Sequence, residues 1–434
     1  MAGSEDNFPV VGEEVNGEPT FDEVWADVSP VPQDDGPSPV VKIAYSSSYV
    51  KLNDLFRAVV QRQEYSDRVL DLTEELLELN ASSYTVWQYR RDCLQALNKD
   101  LNEELDYLDT FARENPKNYQ IWHHRRCIVQ ALGKGNREMG FCEAVFTVDA
   151  KNYHAWAHRQ WALQMYNLWD GELEYVERCL DEDVRNNSAW NQRWFVVHKG
   201  PTNNSTTKNT ADTTSSTSTP AARSPPITNG SSSAAALTAA SVALPMQVLK
   251  REVDFGFAAL QTVSLNESAW NYIRGLHRYH SMQQIETDLV IDAVSPSASS
   301  DVEIDKGNTA GTCGSSSGIS ACKRVSLHSY VRMKIEELLA KPDKADTSKS
   351  APYGKNIFAM GLLADICEFS GSSTAAASSS SSEAAAASAM TATATAAVAD
   401  LQYALELCTQ LVSLDQIRAK SWTRRALALK QKLQ

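Results

Sequence analysis

The chain has 434 residues, with 41 basic and 54 acidic side chains and a net charge of −13. Residues 1–40 hold ten Asp/Glu and no Lys/Arg, so the tail carries all but three of those charges and the rest is nearly neutral. This excludes the basic footprint of a nucleic-acid binder, and no apolar run reaches the ~18 residues of a membrane span. The N-terminus lacks the basic-then-apolar pattern of a signal peptide. The eight cysteines include no C-x-x-C, so reduced thiols in the cytoplasm are expected.

In chain order, residues 1–40 read as an acidic, largely disordered tail, followed by a helical-repeat domain over 41–434. From Tyr84 a motif recurs. Tyr84-Thr85-Val86-Trp87-Gln88-Tyr89-Arg90-Arg91 returns as Tyr119-Gln120-Ile121-Trp122-His123-His124-Arg125-Arg126, then as Tyr153-His154-Ala155-Trp156-Ala157-His158-Arg159. A looser copy is Ser188-Ala189-Trp190-Asn191-Gln192-Arg193, and a fifth centres on Trp270, with Ile273 in place of Arg. The period is 34 residues once the tract 200–245 is set aside. Ser421-Trp422-Thr423-Arg424-Arg425 is a degenerate sixth copy.

Each period reads as two helices. Trp87, Leu94 and Leu97 recur at helical spacing, Asn98-Lys99-Asp100 marks a turn, and Leu101, Leu105, Leu108 and Phe111 mark the second helix up to Asn115-Pro116. Such a pair cannot bury its apolar stripe alone, so pairs must stack. The fold expected is all-α: a right-handed, crescent-shaped solenoid of antiparallel helical hairpins. The Ser/Thr/Ala-rich tracts 200–245, 296–322 and 371–397 lack large apolar residues and are expected to be disordered inserts. The Ala-rich stretch near Glu383 has some helix propensity.

The repeated Trp87, Trp122, Trp156, Trp190 and Trp270 read as apolar plugs between hairpins. Arg90, Arg125, Arg159 and Arg193, one turn on, can lie along the indole or reach a carboxylate in the next repeat. An anion-binding row is the weaker reading, because the feature repeats and a substrate site rarely does. Four residues before Trp122, Trp156, Trp190 and Trp270 stand Asn118, Asn152, Asn186 and Asn266, good helix N-caps. Just before the first three of these lie Lys117, Lys151 and Arg185. They form either a basic rim suited to a diphosphate or a solvated charged turn; residue chemistry alone leaves both open. His154 and His158 are four apart but lack a third ligand, so no metal site is expected.

With these strings the chain resembles the alpha subunit shared by protein farnesyltransferase and protein geranylgeranyltransferase type I. The resemblance rests on Pro116-Lys117-Asn118-Tyr119-Gln120-Ile121-Trp122, Ala150-Lys151-Asn152-Tyr153-His154-Ala155-Trp156 and Arg185-Asn186-Asn187-Ser188-Ala189-Trp190. Upstream it includes Trp25-Ala26-Asp27-Val28 and Pro30-Val31-Pro32-Gln33-Asp34-Asp35-Gly36-Pro37. It implies a crescent wrapped around a beta subunit, of either the farnesyltransferase or the geranylgeranyltransferase type I kind. It also implies transfer of a farnesyl or geranylgeranyl group from its diphosphate to the cysteine of a C-terminal CaaX sequence. Zinc would be held by the beta subunit and none by this chain, with magnesium accompanying the diphosphate in the farnesyl form. Lys117 would be the catalytic cation, Tyr119 and Gln120 would face the peptide, and Asn152, Tyr153 and His154 would lie on the prenyl-diphosphate side. The alternatives are a non-catalytic tetratricopeptide-like scaffold or the alpha subunit of Rab geranylgeranyltransferase, for which the Pro30–Pro37 string is not expected.

Overall fold

The computed structural model describes residues 20–41, 43–201, 244–282, 289–291, 323–340, 356–377 and 384–434. The fold is an all-α solenoid of helical hairpins. Its chain divides into two compact units, meeting in sequence at Leu168/Trp169.

The first unit opens with α1 (Phe21–Val24), α2 (Ser47–Arg62), α3 (Asp67–Leu79) and α4 (Tyr84–Ala96). It continues with α5 (Leu101–Glu114), α6 (Tyr119–Leu132), α7 (Glu138–Val148) and α8 (Tyr153–Tyr166). Here the tail departs from expectation. Thr20 and Glu23 form a capping box on α1, and Trp25 and Val28 are buried. Arg68 lies over the Trp25 ring at 4.7 Å and holds both oxygens of Asp27, while Arg57 donates to the Val31 carbonyl at 2.8 Å. The segment 20–31 is thus bolted onto α2 and α3. Counting charges hid this, because two apolar anchors suffice to order a short acidic stretch. Residues 1–19 lie outside the described residues.

The pairing phase also differs. The tight hairpins are α3–α4, α5–α6 and α7–α8, so the Trp helix is the second member of each, not the first. The Trp side chain shows why. The indole N–H of Trp87 donates to the Ala81 carbonyl at 2.9 Å, that of Trp122 to Pro116 at 3.0 Å and that of Trp156 to Ala150 at 3.0 Å. Each Trp therefore ties its helix to the turn entering it. The other connections end helices on left-handed residues, Asn98, Gly133 and Asn167.

The Arg row is structural and acts as a rivet between hairpins. Arg90 in α4 pairs through Nε and Nη2 with Glu104 in α5, both at 2.8 Å, and Arg125 in α6 pairs with Glu138 in α7 at 2.8 and 2.9 Å. Their guanidinium groups lie over Tyr107 and Phe141 of those next hairpins, at 4.6 and 3.5 Å, instead of along the Trp of their own. Outer acids at the same repeat position complete the cradle: Glu74 sits 3.9 Å from Arg90, Asp109 2.7 Å from Arg125 and Glu143 3.3 Å from Arg159. Arg159 also donates to the Met139 carbonyl.

The buried glutamates take a second donor from their own hairpin: His124 Nε2 meets Glu104 at 2.8 Å and His158 Nε2 meets Glu138 at 2.5 Å. Both histidines are fully enclosed, and burial lowers their pKa, that of His124 to about 4. They are neutral donors at pH 7. His124 Nδ1 is then free to accept from Arg91 Nη1 at 3.2 Å.

The second unit holds α9 (Glu172–Glu182), α10 (Asn187–Lys199), α11 (Met246–Thr262), α12 (Glu267–Met282), α13 (Leu327–Ala340), α14 (Ile357–Ala377), α15 (Ala384–Leu414) and α16 (Ala419–Lys432). An antiparallel pair, β1 (Leu289–Ile291) and β2 (Lys323–Val325), lies between α12 and α13, with Val290 opposite Arg324. The repeat chemistry continues. Trp190 and Trp270 donate to Val184 and Ser264, both at 2.8 Å. Arg193 pairs with Glu252 at 2.6 Å and reaches Glu177 at 2.9 Å, its guanidinium 3.5 Å over Phe255. Gln192 and Tyr272 replace histidine as the second donors, to Glu172 and Glu252.

Two findings change the C-terminal reading. Asn356 caps α14 by accepting from Ala359 N–H, and its Nδ2 reaches the Ser264 carbonyl at 3.0 Å, just as Asn266 reaches Val184. Helices α13 and α14 are therefore a sixth hairpin that lost its tryptophan; Met360 is buried where the indole would stand. The Trp422 copy belongs to a seventh hairpin, α15–α16, with Trp422 donating to Asp415 at 3.0 Å. Of the tract 371–397, expected to be disordered, residues 371–377 and 384–397 are helical and only 378–383 lie outside the described residues. Alanine costs the least to hold in a helix, so packed helices extend into it. The tract 296–322 and all but the ends of 200–245 lie outside the described residues.

Candidate functional site on the asparagine-capped rim

The turns and first helical residues entering α6 and α8 carry the catalytic and substrate-side residues expected from sequence, Lys117, Tyr119, Gln120, Asn152, Tyr153 and His154. Asn118 Oδ1 accepts from Gln120 N–H at 2.9 Å, capping α6, and Asn152 Oδ1 accepts from Ala155 N–H at 3.0 Å, capping α8. Each asparagine also grips the preceding turn, Asn118 Nδ2 on Ser82 Oγ at 3.1 Å and Asn152 Nδ2 on the Pro116 carbonyl at 3.2 Å. Successive turns are thereby stitched into one rim within the first unit.

Asn152 is 2% exposed and its amide is engaged at both ends, so it holds the turn carrying Lys117. Lys117 is exposed one residue beyond Pro116, and Tyr119 and Tyr153, at the first positions of α6 and α8, are 70% and 71% exposed. Gln120 is half-buried beside Tyr119.

His154 joins the two turns. Its ring meets Tyr119 edge-on at 4.3 Å, lies 5.6 Å from Tyr153 and stacks over Trp122 at 6.2 Å. Burial lowers its pKa, and a hydrogen bond to the Lys117 backbone opposes that shift. The structure thus gathers Lys117, Tyr119, Tyr153 and a neutral His154 into one exposed patch with a cation at its edge. Lys151 occupies the matching place one turn on, where Asp149 accepts its backbone N–H at 3.1 Å. Helix N-termini beneath the patch add positive potential. Such a surface suits an anionic head group beside an aromatic floor.

The structure assigns packing roles to Trp87, Trp122, Trp156, Trp190 and Trp270, and ion-pair roles to Arg90, Arg125, Arg159 and Arg193. Sequence reading missed the partners of those arginines. Glu104, Glu138 and Glu252, which pair with Arg90, Arg125 and Arg193, recur with the same period once the tract 200–245 is set aside, but acidic residues are common enough on helices to hide a buried set. Among the described residues no group of three His, Cys, Asp or Glu side chains could hold a metal ion, and no helix is long and apolar enough to cross a membrane. Cys93, Cys127, Cys142, Cys179, Cys367 and Cys408 are free thiols.

Comparison with known proteins matches this geometry. The protein prenyltransferase alpha subunit repeat is found at residues 66–97, 101–132, 136–166 and 169–200, which are the hairpins α3–α4, α5–α6, α7–α8 and α9–α10. The protein farnesyltransferase/geranylgeranyltransferase type-1 subunit alpha of Solanum lycopersicum is 54% identical over 90 residues, 21% of this chain and 26% of that protein. The Arabidopsis thaliana protein of the same name is 51% identical over 90 residues, 21% of this chain and 28% of that one. The chain thus spans about a quarter of the length of the curated relatives it matches. Among solved structures, Candida albicans protein geranylgeranyltransferase-I complexed with GGPP is similar in fold. Its TM-score is 0.58 at 21% identity, covering 93% of this chain and 98% of that one. Four consecutive hairpins of this chain therefore match the protein prenyltransferase alpha subunit repeat, and its sequence resembles the alpha subunit shared by the farnesyl and type-1 geranylgeranyl enzymes.

Proposed function

We propose that this chain is the alpha subunit of a heterodimeric, cytoplasmic protein prenyltransferase. In this reading the heterodimer transfers a farnesyl or geranylgeranyl group from its diphosphate to a CaaX cysteine, forming a thioether. The observation that carries the reading is the patch of Lys117, Tyr119, Tyr153 and His154, built by two consecutive repeats of the matching kind. The beta subunit, of farnesyl or type-1 geranylgeranyl kind, supplies the cavity and the zinc that makes the acceptor thiol a thiolate; magnesium accompanies the diphosphate in the farnesyl form. This chain supplies electrostatics and position. Lys117 stabilises charge that grows on the departing diphosphate. Asn152, Tyr153 and His154 lie on the prenyl-diphosphate side, Asn152 also tying down the turn that carries Lys117, and Tyr119 and Gln120 border the CaaX peptide.

The test is co-expression with a beta subunit, followed by transfer of labelled prenyl diphosphate to a CaaX peptide. A stable 1:1 heterodimer that transfers, beside an isolated chain that does not, is the expected result. Transfer by the isolated chain, or failure to associate with either beta subunit, overturns the reading.

A further inference from the structure

The second unit contains a cavity of about 460 Å³ where α12, α14 and α16 converge, sharing no residue with the rim above. Its charges do not balance. Arg278, Arg425 and Lys432 line it, and Arg274 lies against it, whereas among the described residues only two carboxylates, Asp365 and Glu368, face these four cations. Both acids are shared. Asp365 serves Arg425 at 2.6 Å and Arg274 at 3.0 Å; Glu368 serves Arg425 at 2.9 Å and Lys432 at 2.7 Å. Arg278 is left with a 3.7 Å approach to Asp365, and its side chain is 64% exposed. The half-buried Arg274 registers the excess: burial lowers its pKa, and although Asp365 raises it, Arg278, Arg418 and Arg425 lower it again.

The remaining lining is of two kinds. Phe369 and Met282 give an apolar wall, and the Phe369 ring is held 4.4 Å from His328 and 6.2 Å from His277. His277 is itself buried in the lining, and its Nδ1 has no hydrogen-bond partner among the described residues. A buried orphan imidazole nitrogen is uncommon and calls for a partner. Guanidinium forks and an ammonium prefer the oxygens of a phosphate, which they bind through paired charge-assisted hydrogen bonds.

We propose that this cavity binds a small organic phosphate, its phosphoryl group on Arg278, Arg425 and Lys432 and its body against Phe369. The site lies outside the reaction proposed above and stands independently of it.

Isothermal titration of the full chain at fixed ionic strength tests this, with inorganic phosphate and phenyl phosphate as probes. Both should bind this cavity, phenyl phosphate at least threefold more tightly because of the aromatic wall. The double variant Arg278→Ala/Lys432→Ala should weaken both at least tenfold, with helical circular dichroism unchanged. Arg278→Ala alone alters an exposed side chain and is the safe variant should the double one unfold; it should weaken binding at least threefold. The rim carries its own cation for an anion, so the titrations are repeated on Lys117→Ala, in which one site of the stated affinities should remain. Absence of binding, equal affinity for the two probes, wild-type binding by Arg278→Ala, or loss of all binding in Lys117→Ala would each overturn the proposal.

Discussion

At the scale of single residues, the same amino-acid type does opposite work according to its place in the repeat. Lys117 ends in solvent, and its proposed role is felt only when charge builds on a leaving group. An interaction stronger in the transition state than in the ground state lowers the chemical rate when removed and spares binding. In the heterodimer, Lys117→Ala should slow single-turnover transfer by on the order of tenfold or more, about 1.4 kcal/mol. Lys151→Ala should do less, and prenyl-diphosphate binding should survive both; equally mild effects would return the rim lysines to the class of solvated turn residues. Arg90 is the contrary case. It is buried, paired twice with Glu104, and among the described residues otherwise meets a carboxylate only at Glu74, 3.9 Å away. Glu104→Ala removes its neutralising charge and also strips the acceptor from His124. Truncating one side of a buried ion pair costs about 3–5 kcal/mol, so urea unfolding should show a loss of that size. A loss below about 1 kcal/mol would mean that water or Glu74 replaces the pair.

At the scale of helices, the period, the inventory of hairpins up to α12 and the asparagine-capped turns were legible in sequence, because Trp, Asn and Arg recur at fixed offsets. The phase was not, since the connections on both sides of a Trp helix are short and only the indole hydrogen bond to Ala81, Pro116 or Ala150 decides which neighbour it joins. The sixth hairpin was hidden because Met360 replaced tryptophan, leaving Asn356 as its lone marker. The candidate site was legible as a string, Lys117 to Gln120 and Asn152 to His154. Its division of labour was not: that Asn152 faces inward and His154 bridges two turns depends on contacts between repeats. The tract after α10 bears on the same continuity. Despite it, Asn266 reaches Val184 at 2.6 Å and Arg193 pairs with Glu252 at 2.6 Å, so α11–α12 stacks on α9–α10 by the same ties used upstream. Replacing 204–241 with a short Gly/Ser linker should therefore leave the unfolding midpoint within about 1 kcal/mol of wild type, as flexible loop length costs little. A much larger loss in thermal or urea unfolding would show that the tract packs on these hairpins.

At the scale of the molecule, the buried histidines make stability depend on pH in a definite direction. Burial lowers the pKa of His124 to about 4, that of His277 to about 3 and that of His328 to about 4, and it lowers His158 as well. In the unfolded chain these groups titrate near the usual ~6.5. Between that value and the folded ones the unfolded state binds protons that the native state refuses, so stability is fully present above about pH 6.5 and declines as pH falls. Each histidine contributes at most about 1.4 kcal/mol per pH unit, and the contribution is exhausted near its folded pKa. Glu104 and Glu138, whose pKa is lowered by His124, His158 and their arginines against the cost of burial, add a further loss below the usual carboxylate range. The chain contains its own control for the first effect. In the α9–α10 hairpin the histidine position is held by Gln192, which donates to Glu172 at 2.7 Å and cannot titrate. His124→Gln should thus keep the hydrogen bond to Glu104 and leave stability at pH 7.5 within about 1 kcal/mol of wild type, the usual range for a shape-conserving change. Urea unfolding at half-unit steps from pH 7.5 to 4.5 should show a shallower decline in the variant, by up to about 1.4 kcal/mol per pH unit below pH 6. Parallel curves would mean that His124 takes up its proton as readily in the folded state as in the unfolded one. It would then be a cation paired with Glu104, and Arg91 would face it without the acceptor that a neutral ring provides.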